Sequence, residues 1–229
     1  LRRNFRTTAN AYRNSQSQAL SSERIPFAVG EKLQRTTINI IMTSISLQPL
    51  YPLGCKTKQE DEATARHIYE TSFPEDERRD FSQMKPLSEK APFVFNLIKA
   101  EDDQVIGIIS LWNFDTFTYI EHFAISDAIR GKGTGSKVLQ LLKSKIQTPI
   151  IFEVELPQTQ QARRRIEFYR RHDFDIQPYK YIQPPYDKTK QSLEMHIMTN
   201  LNTQPDKATF DHIVRTLYTY VYQLPTAKK

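Results

Sequence analysis

From residue 43 onward, short apolar runs give way repeatedly to segments whose apolar residues return every three or four positions. The first spacing suits strands and the second amphipathic helices. Thr43 to Leu50 reads as a first strand, and Glu60 to Ser72 as a helix with Ala65, Ile68 and Tyr69 on one side. Pro74-Glu75-Asp76-Glu77 has the form of a second helix start, with Pro early and acids in the first turn. Phe81, Met84 and Leu87 would be its buried stripe. Phe93–Lys99 and Val105–Trp112 predict a hairpin across the polar turn Glu101-Asp102-Asp103-Gln104. A strand follows at Tyr119–Ile125, then a helix at Ser136–Ile146 and a strand at Pro149–Leu156. Gln160–Arg171 predicts a helix carrying Ala162, Ile166 and Tyr169 on one stripe. Residues 178–183 and 193–199 are short strands, and Asp206–Leu224 is a closing helix with Phe210, Ile213, Val214, Leu217 and Val221 on one face. That order, β-α-α-β-β-β-α-β-α-β-β-α, predicts an α+β fold with a mixed central sheet flanked by helices.

Residues 1–41 show no such periodicity. They are polar and rich in Ser, Thr, Gln, Asn and Arg, the composition of a disordered or loosely attached extension. The first residue is Leu and the first Met is Met42, so a clipped or incomplete chain is expected, with structure beginning at Met42. The expected organisation is therefore a basic extension at 1–41, a folded domain at 42–200 and a C-terminal helix packed on it at 201–229.

Charge sharpens this division. The formal net charge is +6, but residues 1–58 hold nine Lys or Arg against Glu23 and Glu31. The remainder has 23 basic and 24 acidic residues. A nucleic-acid reader usually carries positive charge on its folded face, so nucleic acid is a disfavoured partner. No run of about 18 apolar residues occurs, which argues against a membrane helix. No apolar stretch follows Arg2, Arg3 and Arg6, as a secretory signal would require. Cys55 is the only cysteine, which excludes an intramolecular disulfide and a cysteine-built zinc site. A cytoplasmic setting is expected, with no metal, and a homodimer is left open.

The strongest chemical signal is Arg130-Gly131-Lys132-Gly133-Thr134-Gly135-Ser136, between a strand and a helix. Glycines let a backbone turn tightly against a ligand, and a helix N-terminus favours phosphate. A P-loop would need Lys directly after the last glycine, where Ser136 stands. The dinucleotide pattern Gly-x-Gly-x-x-Gly would need a third glycine at 136 or 138, where Ser and Val stand. Glu153, on the following strand, could have been that pattern's acid.

Strand, short loop, Arg-x-x-Gly-x-Gly and helix together resemble the cofactor segment of the GNAT family of N-acetyltransferases. Arg130, Gly133 and Gly135 match its Q/R-x-x-G-x-G/A pattern. The likeness continues through Ile150–Glu155 and through Ile166–Phe174, which is similar to the family's helix ending in Tyr-x-x-x-Gly-Phe. Asp173 stands where the family usually has Gly, and Asp tolerates a left-handed backbone better than most residues. Gln158–Gln161 offers no match to the family's cofactor-contacting Asn.

The resemblance implies acetyl-CoA as co-substrate, its pyrophosphate on the amides of Gly131, Lys132, Gly133, Thr134, Gly135 and Ser136, next to Arg130. It implies pantetheine along the backbone of Phe123, Ala124 and Ile125. The acceptor would be the amine of a small molecule or peptide. An ammonium cannot attack a thioester, so a base is required. The resemblance suggests Glu121, which alternation would set on one face with Tyr119, Phe123 and Ile125, where burial would raise its pKa. Glu153 and Glu155 are reserves, and His122 would point to the other face as a packed histidine. Tyr169 resembles the family's proton donor to the departing sulfur. Arg163-Arg164-Arg165 reads first as a solvated face and second as a phosphate attractor. Tyr179, Tyr181 and Tyr186 lie where the family borders its acceptor. A catalytically silent coenzyme A-binding module is the alternative; it would keep the glycine loop without needing Glu121 or Tyr169.

Overall fold

Apolar strands buried on two faces need helices on both sides, and the computed structural model has that arrangement. It describes residues 44–90 and 92–224; the expected extension at 1–41 and the start at Met42 lie outside the described residues. In chain order the elements are β1 (Ser46–Pro49), α1 (Gln59–Ser72), α2 (Met84–Ser88), β2 (Phe93–Lys99), β3 (Val105–Asn113) and β4 (Thr118–Ile125). Then come α3 (Thr134–Lys145), β5 (Ile150–Glu155), α4 (Gln160–Arg170), β6 (Asp175–Ile176), β7 (Tyr181–Gln183), β8 (Leu193–Thr199) and α5 (Lys207–Thr216). The protein is α+β, with a mixed sheet in the order β1-β2-β3-β4-β5-β8-β6, and β7 also pairs with β8. The pairings are antiparallel except for β4 with β5.

One face packs Tyr69, Met84, Phe95, Tyr119, Ile197 and Phe210 into a core with α1, α2 and α5. The other packs Ile109, Ile120, Phe152 and Met198 against Leu139 of α3 and Ile166 of α4. β3 is buried over seven consecutive positions, because both cores meet on it.

Two expected helices take different forms. The segment after Pro74 breaks into 3-10 turns at Glu75–Glu77 and Phe81–Gln83 before α2. Arg78 is extended (φ −143°, ψ 154°), and the Asp80 carboxylate restarts the chain by accepting from Ser82 N at 2.8 Å. Phe81, Met84 and Leu87 are buried as the stripe predicted. The closing helix is α-helical only to Thr216, then widens to a π-helical turn at Leu217–Val221. β6 has no counterpart in the predicted order.

Candidate active site

Strands β4 and β5 pair only where Thr118, Tyr119 and Ile120 meet Ile150, Ile151 and Phe152. Past those residues they diverge, and a cleft of about 940 Å³ opens between them. Every expected site residue lines it except Lys132, which is exposed beside it.

The loop end of the cleft is built from backbone. Gly131 and Gly133 have φ of +82° and +76°, and Gly133 caps α3 without any side chain. The first bond back into the helix runs from Lys137 N to Gly133 O, 3.2 Å. The amides of Thr134, Gly135 and Ser136 therefore have no acceptor inside the helix, and the dipole is positive there. A Cβ on Gly135 would come within 3.3 Å of the Phe168 ring, so the ring packs closely over this turn. Arg164 and Arg171 also line the cleft, while Arg163 caps the carbonyl of Pro157 (2.8 Å). These features fit a polyphosphate cofactor. Arg130 is tied to Ile125 O (3.1 Å) and Asp127 (2.6 Å), bracing the end of β4.

The middle of β4 corrects the expected alternation. Ser110 pairs with His122 but Leu111 with Ile120, so Glu121 is an extra residue, a β-bulge. The bulge turns Glu121 and His122 to the same side, with Glu121 Oε2 4.0 Å from His122 Nδ1, together with Tyr119 and Ala124. Phe123 and Ile125 pack against the opposite core. His122 is a packed histidine as expected, 3.1 Å from Ser110 Oγ and 3.2 Å from Glu77 O. Burial holds its pKa down to about 4, so it is neutral.

The environment of Glu121 also differs from expectation. Its side chain is fully buried, yet Arg79 Nε donates to Oε1 at 2.8 Å and Trp112 Nε1 to Oε2 at 2.8 Å. Burial pushes the carboxyl up, but the Arg79 guanidinium and these hydrogen bonds outweigh it and leave the pKa below the ordinary value. Arg79 in turn donates to Val221 O in the π-helical turn and lies over the Tyr186 ring at 4.7 Å.

Glu153 faces the cleft from β5 in a different setting. Tyr181 and Tyr222 donate to it, the latter at 3.0 and 2.8 Å to its two oxygens. Burial raises its pKa to about 7 against these hydroxyls, because no cation is paired with it among the described residues. Glu155 is paired with Arg165.

Tyr169 packs on Phe152 with ring centroids 4.3 Å apart, and burial lifts its phenol to about 12. Asp173 takes the left-handed conformation (φ 64°) that ends this helix, with Phe174 N bonded to Tyr169 O at 3.2 Å and Lys143 on its carboxylate at 2.6 Å. Gln161 lines the cleft, while Thr159 caps α4. Of the late tyrosines, Tyr186 lines the cleft and Tyr181 holds Glu153, but Tyr179 bonds Pro205 O at 3.2 Å. Arg79 and Tyr222 carried no sequence signal as site residues, since their partners lie 42 and 69 positions away, and Trp112 reaches Glu121 only across the β3–β4 pairing. Among the described residues, no group of three His, Cys, Asp or Glu could hold a metal, and no helix is long and apolar enough to cross a membrane.

Comparison with known proteins agrees with this geometry. The profile described as "Acetyltransferase (GNAT) family" matches residues 61–174. A Bacillus subtilis (strain 168) protein named "Putative acetyltransferase YjbC" is 28% identical over 104 residues, 44% of this chain and 52% of the relative. The match thus spans about half the length of that relative. A solved structure from Bacteroides thetaiotaomicron, described as a "putative acetyltransferase from GNAT family", superposes with a TM-score of 0.71 at 33% identity. The superposition covers 79% of this chain and 99% of that one. Spermidine N-acetyltransferase from Vibrio cholerae, solved with CoA and spermine, shares the fold at a TM-score of 0.50 and 12% identity, covering 70% and 96%.

Proposed function

The chain belongs to the GNAT acetyltransferase family, and on that premise we propose that it acetylates a primary amine of a small molecule or peptide, with Glu153 as the base. The observation that carries this reading is the contrast between the two cleft carboxylates. Glu121 is held ionised by Arg79, whereas Glu153 is raised to about 7, where a carboxylate exchanges protons at neutral pH.

Acetyl-CoA supplies the acetyl group as a thioester. The amides of Thr134, Gly135 and Ser136 would hold its pyrophosphate, and the edge of β4 left unpaired by β5 would hold its pantetheine arm. Glu153 takes the proton lost by the amine nitrogen as the N–C bond replaces the C–S bond, and Tyr181 and Tyr222 keep the carboxylate oriented. Tyr169 donates a hydrogen bond to the departing sulfur. With its phenol near 12 and a thiol near ~8.5, it steadies the thiolate and keeps its own proton. Arg79 and Glu121 act as a brace between β4 and the C-terminal turn.

The test is free-thiol release from acetyl-CoA across a panel of amines. Turnover should rise with pH through an ionisation near 7 in kcat/KM. Coenzyme A binding with no turnover on any amine would select the silent module instead. The variant Tyr169→Phe should lower kcat while leaving coenzyme A affinity unchanged.

A further inference from the structure

The turn that ends α4 reaches back onto the glycine loop through a side chain that does not itself line the cleft. His172 Nε2 lies 2.9 Å from Oγ of Ser136, the third residue of α3. The ring is held there edge-on to Phe168 (centroids 5.0 Å), and the same Phe168 ring packs over Gly135. Ser136 lines the cleft, and its amide is one of the three with no acceptor inside the helix. Its hydroxyl has a single proton to give. Where Nε2 carries no proton, that hydroxyl donates to His172 and leaves only lone pairs for the cleft. Where Nε2 carries one, His172 donates to Oγ and the hydroxyl proton is free for a ligand. Nδ1 has no hydrogen-bond partner among the described residues, and the ring is half-buried, so it is open to protonation from solvent.

We propose that His172 is a positioning residue for coenzyme A. As an imidazolium it donates to Ser136 Oγ and directs the Ser136 hydroxyl proton onto a pyrophosphate oxygen, so that cofactor binding takes up a proton. The proposal rests on the cofactor placement above, with pyrophosphate on the amides of Thr134, Gly135 and Ser136, and does not depend on which carboxylate is the base. The charged groups around the ring are Lys143 of α3 and, beside it in the chain, Arg171 and Asp173; Lys143 and Asp173 pair at 2.6 Å. In the free protein, burial and then Lys143 and Arg171 hold the ring below the ordinary histidine value, against the weaker pull of Asp173. The pyrophosphate brings negative charge to within one side chain of Nε2, which favours the imidazolium. A pKa raised on binding makes the cofactor bind most tightly below the free value, and affinity falls as pH rises through the value in the complex.

The experiment titrates dephospho-coenzyme A into the full chain by calorimetry, from about pH 5 to about pH 8.5. This probe keeps the pyrophosphate but lacks the 3′-phosphate, which itself ionises near ~6. Buffers of different ionisation enthalpy report the protons taken up. His172→Gln supplies a donor that cannot titrate. It should match the wild type at the alkaline end, where the ring is neutral. At the acid end the wild type should bind about tenfold more tightly than this variant, the effect of a one-unit rise in pKa on binding, with about half a proton taken up midway. Other ionisations in the cleft, Glu153 among them, act on both proteins, so the difference isolates His172. His172→Phe, without a donor, should bind more weakly than His172→Gln at every pH, and Ser136→Ala should remove most of the acid-side gain. A wild-type advantage that is the same at every pH, or a gain that survives Ser136→Ala in full, would overturn the proposal. Wild-type uptake is read without any substitution, and its absence across this range overturns the proposal even if a variant folds poorly. Binding without uptake removes this inference alone. No binding of dephospho-coenzyme A or coenzyme A at any pH removes the cofactor placement with it.

Discussion

Glu121 on β4 and Glu153 on β5 line the same cleft from strands that diverge around it, and their surroundings drive them in opposite directions. Both are desolvated, which raises a carboxyl pKa in each case. At Glu121 a guanidinium 2.8 Å away reverses that effect; at Glu153 only neutral hydroxyls oppose it. A cation fixes a charge, while a hydroxyl orients it and leaves it free to titrate. Two carboxylates that look alike in sequence thus stand in opposite electrostatic settings, which is why the proposed function casts one as a brace and the other as a base.

The largest effect should come from removing the group that titrates. Glu153→Gln should cut turnover about 10²–10⁴-fold, and the acid limb near pH 7 should vanish from kcat/KM. Its stability effect has the opposite sign. A folded-state pKa of about 7 against an ordinary 4.5 means the native state favours the protonated form. Wild-type stability should therefore fall as pH rises from 4.5 to 7 and stay level above, by roughly 3–4 kcal/mol. Glu153→Gln should flatten that slope and melt higher at pH 8. Full activity of this variant would hand the base role back to Glu121.

Glu121→Gln should act mainly on the fold. It leaves Arg79 buried without its counter-charge, which costs about 3–5 kcal/mol, or roughly 6–20 °C in melting temperature at this chain length. The pH dependence follows from the lowered pKa: the stabilisation is present above about 4.5 and is lost as pH falls through the folded value below it. Replacing both partners, Arg79→Met with Glu121→Leu, should recover most of the melting temperature. Thiol release by the double variant near the wild-type rate would establish the pair as a brace. A rate deficit of about 10²-fold or more in a well-folded double variant would break the comparison.

How far this was legible in the sequence follows from the range of each interaction. The glycine loop, the strands β2 and β8 and the left-handed Asp173 are encoded by neighbours within a few residues, so pattern and motif find them. The bulge at Glu121 exists only in the pairing of β4 with β3, and simple alternation put Tyr119 on the wrong side of the sheet relative to Phe123. Arg79 reaches Glu121 across 42 positions and Tyr222 reaches Glu153 across 69. Neither contact leaves a local trace. The same holds for the broken helix after Pro74. Its acids and proline signal an ordinary start, but extended backbone at Arg78 breaks the helix beside the residue that meets Glu121.

The smallest effect should be the most discriminating. Tyr222 comes from the chain immediately after the π-helical turn, and its hydroxyl donates to both oxygens of Glu153. Those bonds favour the carboxylate, so Tyr222→Phe should raise the Glu153 pKa further. At least Tyr181 still donates to Glu153, and the ring still packs on Tyr186 (centroids 5.2 Å), so the fold should be little affected. An upward move of about one unit would lower the ionised fraction at pH 7 from about a half to about a tenth, slowing turnover roughly fivefold there. Well above pH 9 the variant and wild type should turn over alike, because both bases are then ionised. The fall in stability with pH should extend upward by the same interval, since the native state now favours the protonated form over a wider range. Glu121, on its ion pair, should not register the change. If Tyr222→Phe slows the reaction equally at every pH, the hydroxyl positions substrate and does not tune Glu153. If it moves the acid limb as described, the C-terminal turn is part of the apparatus that sets the base.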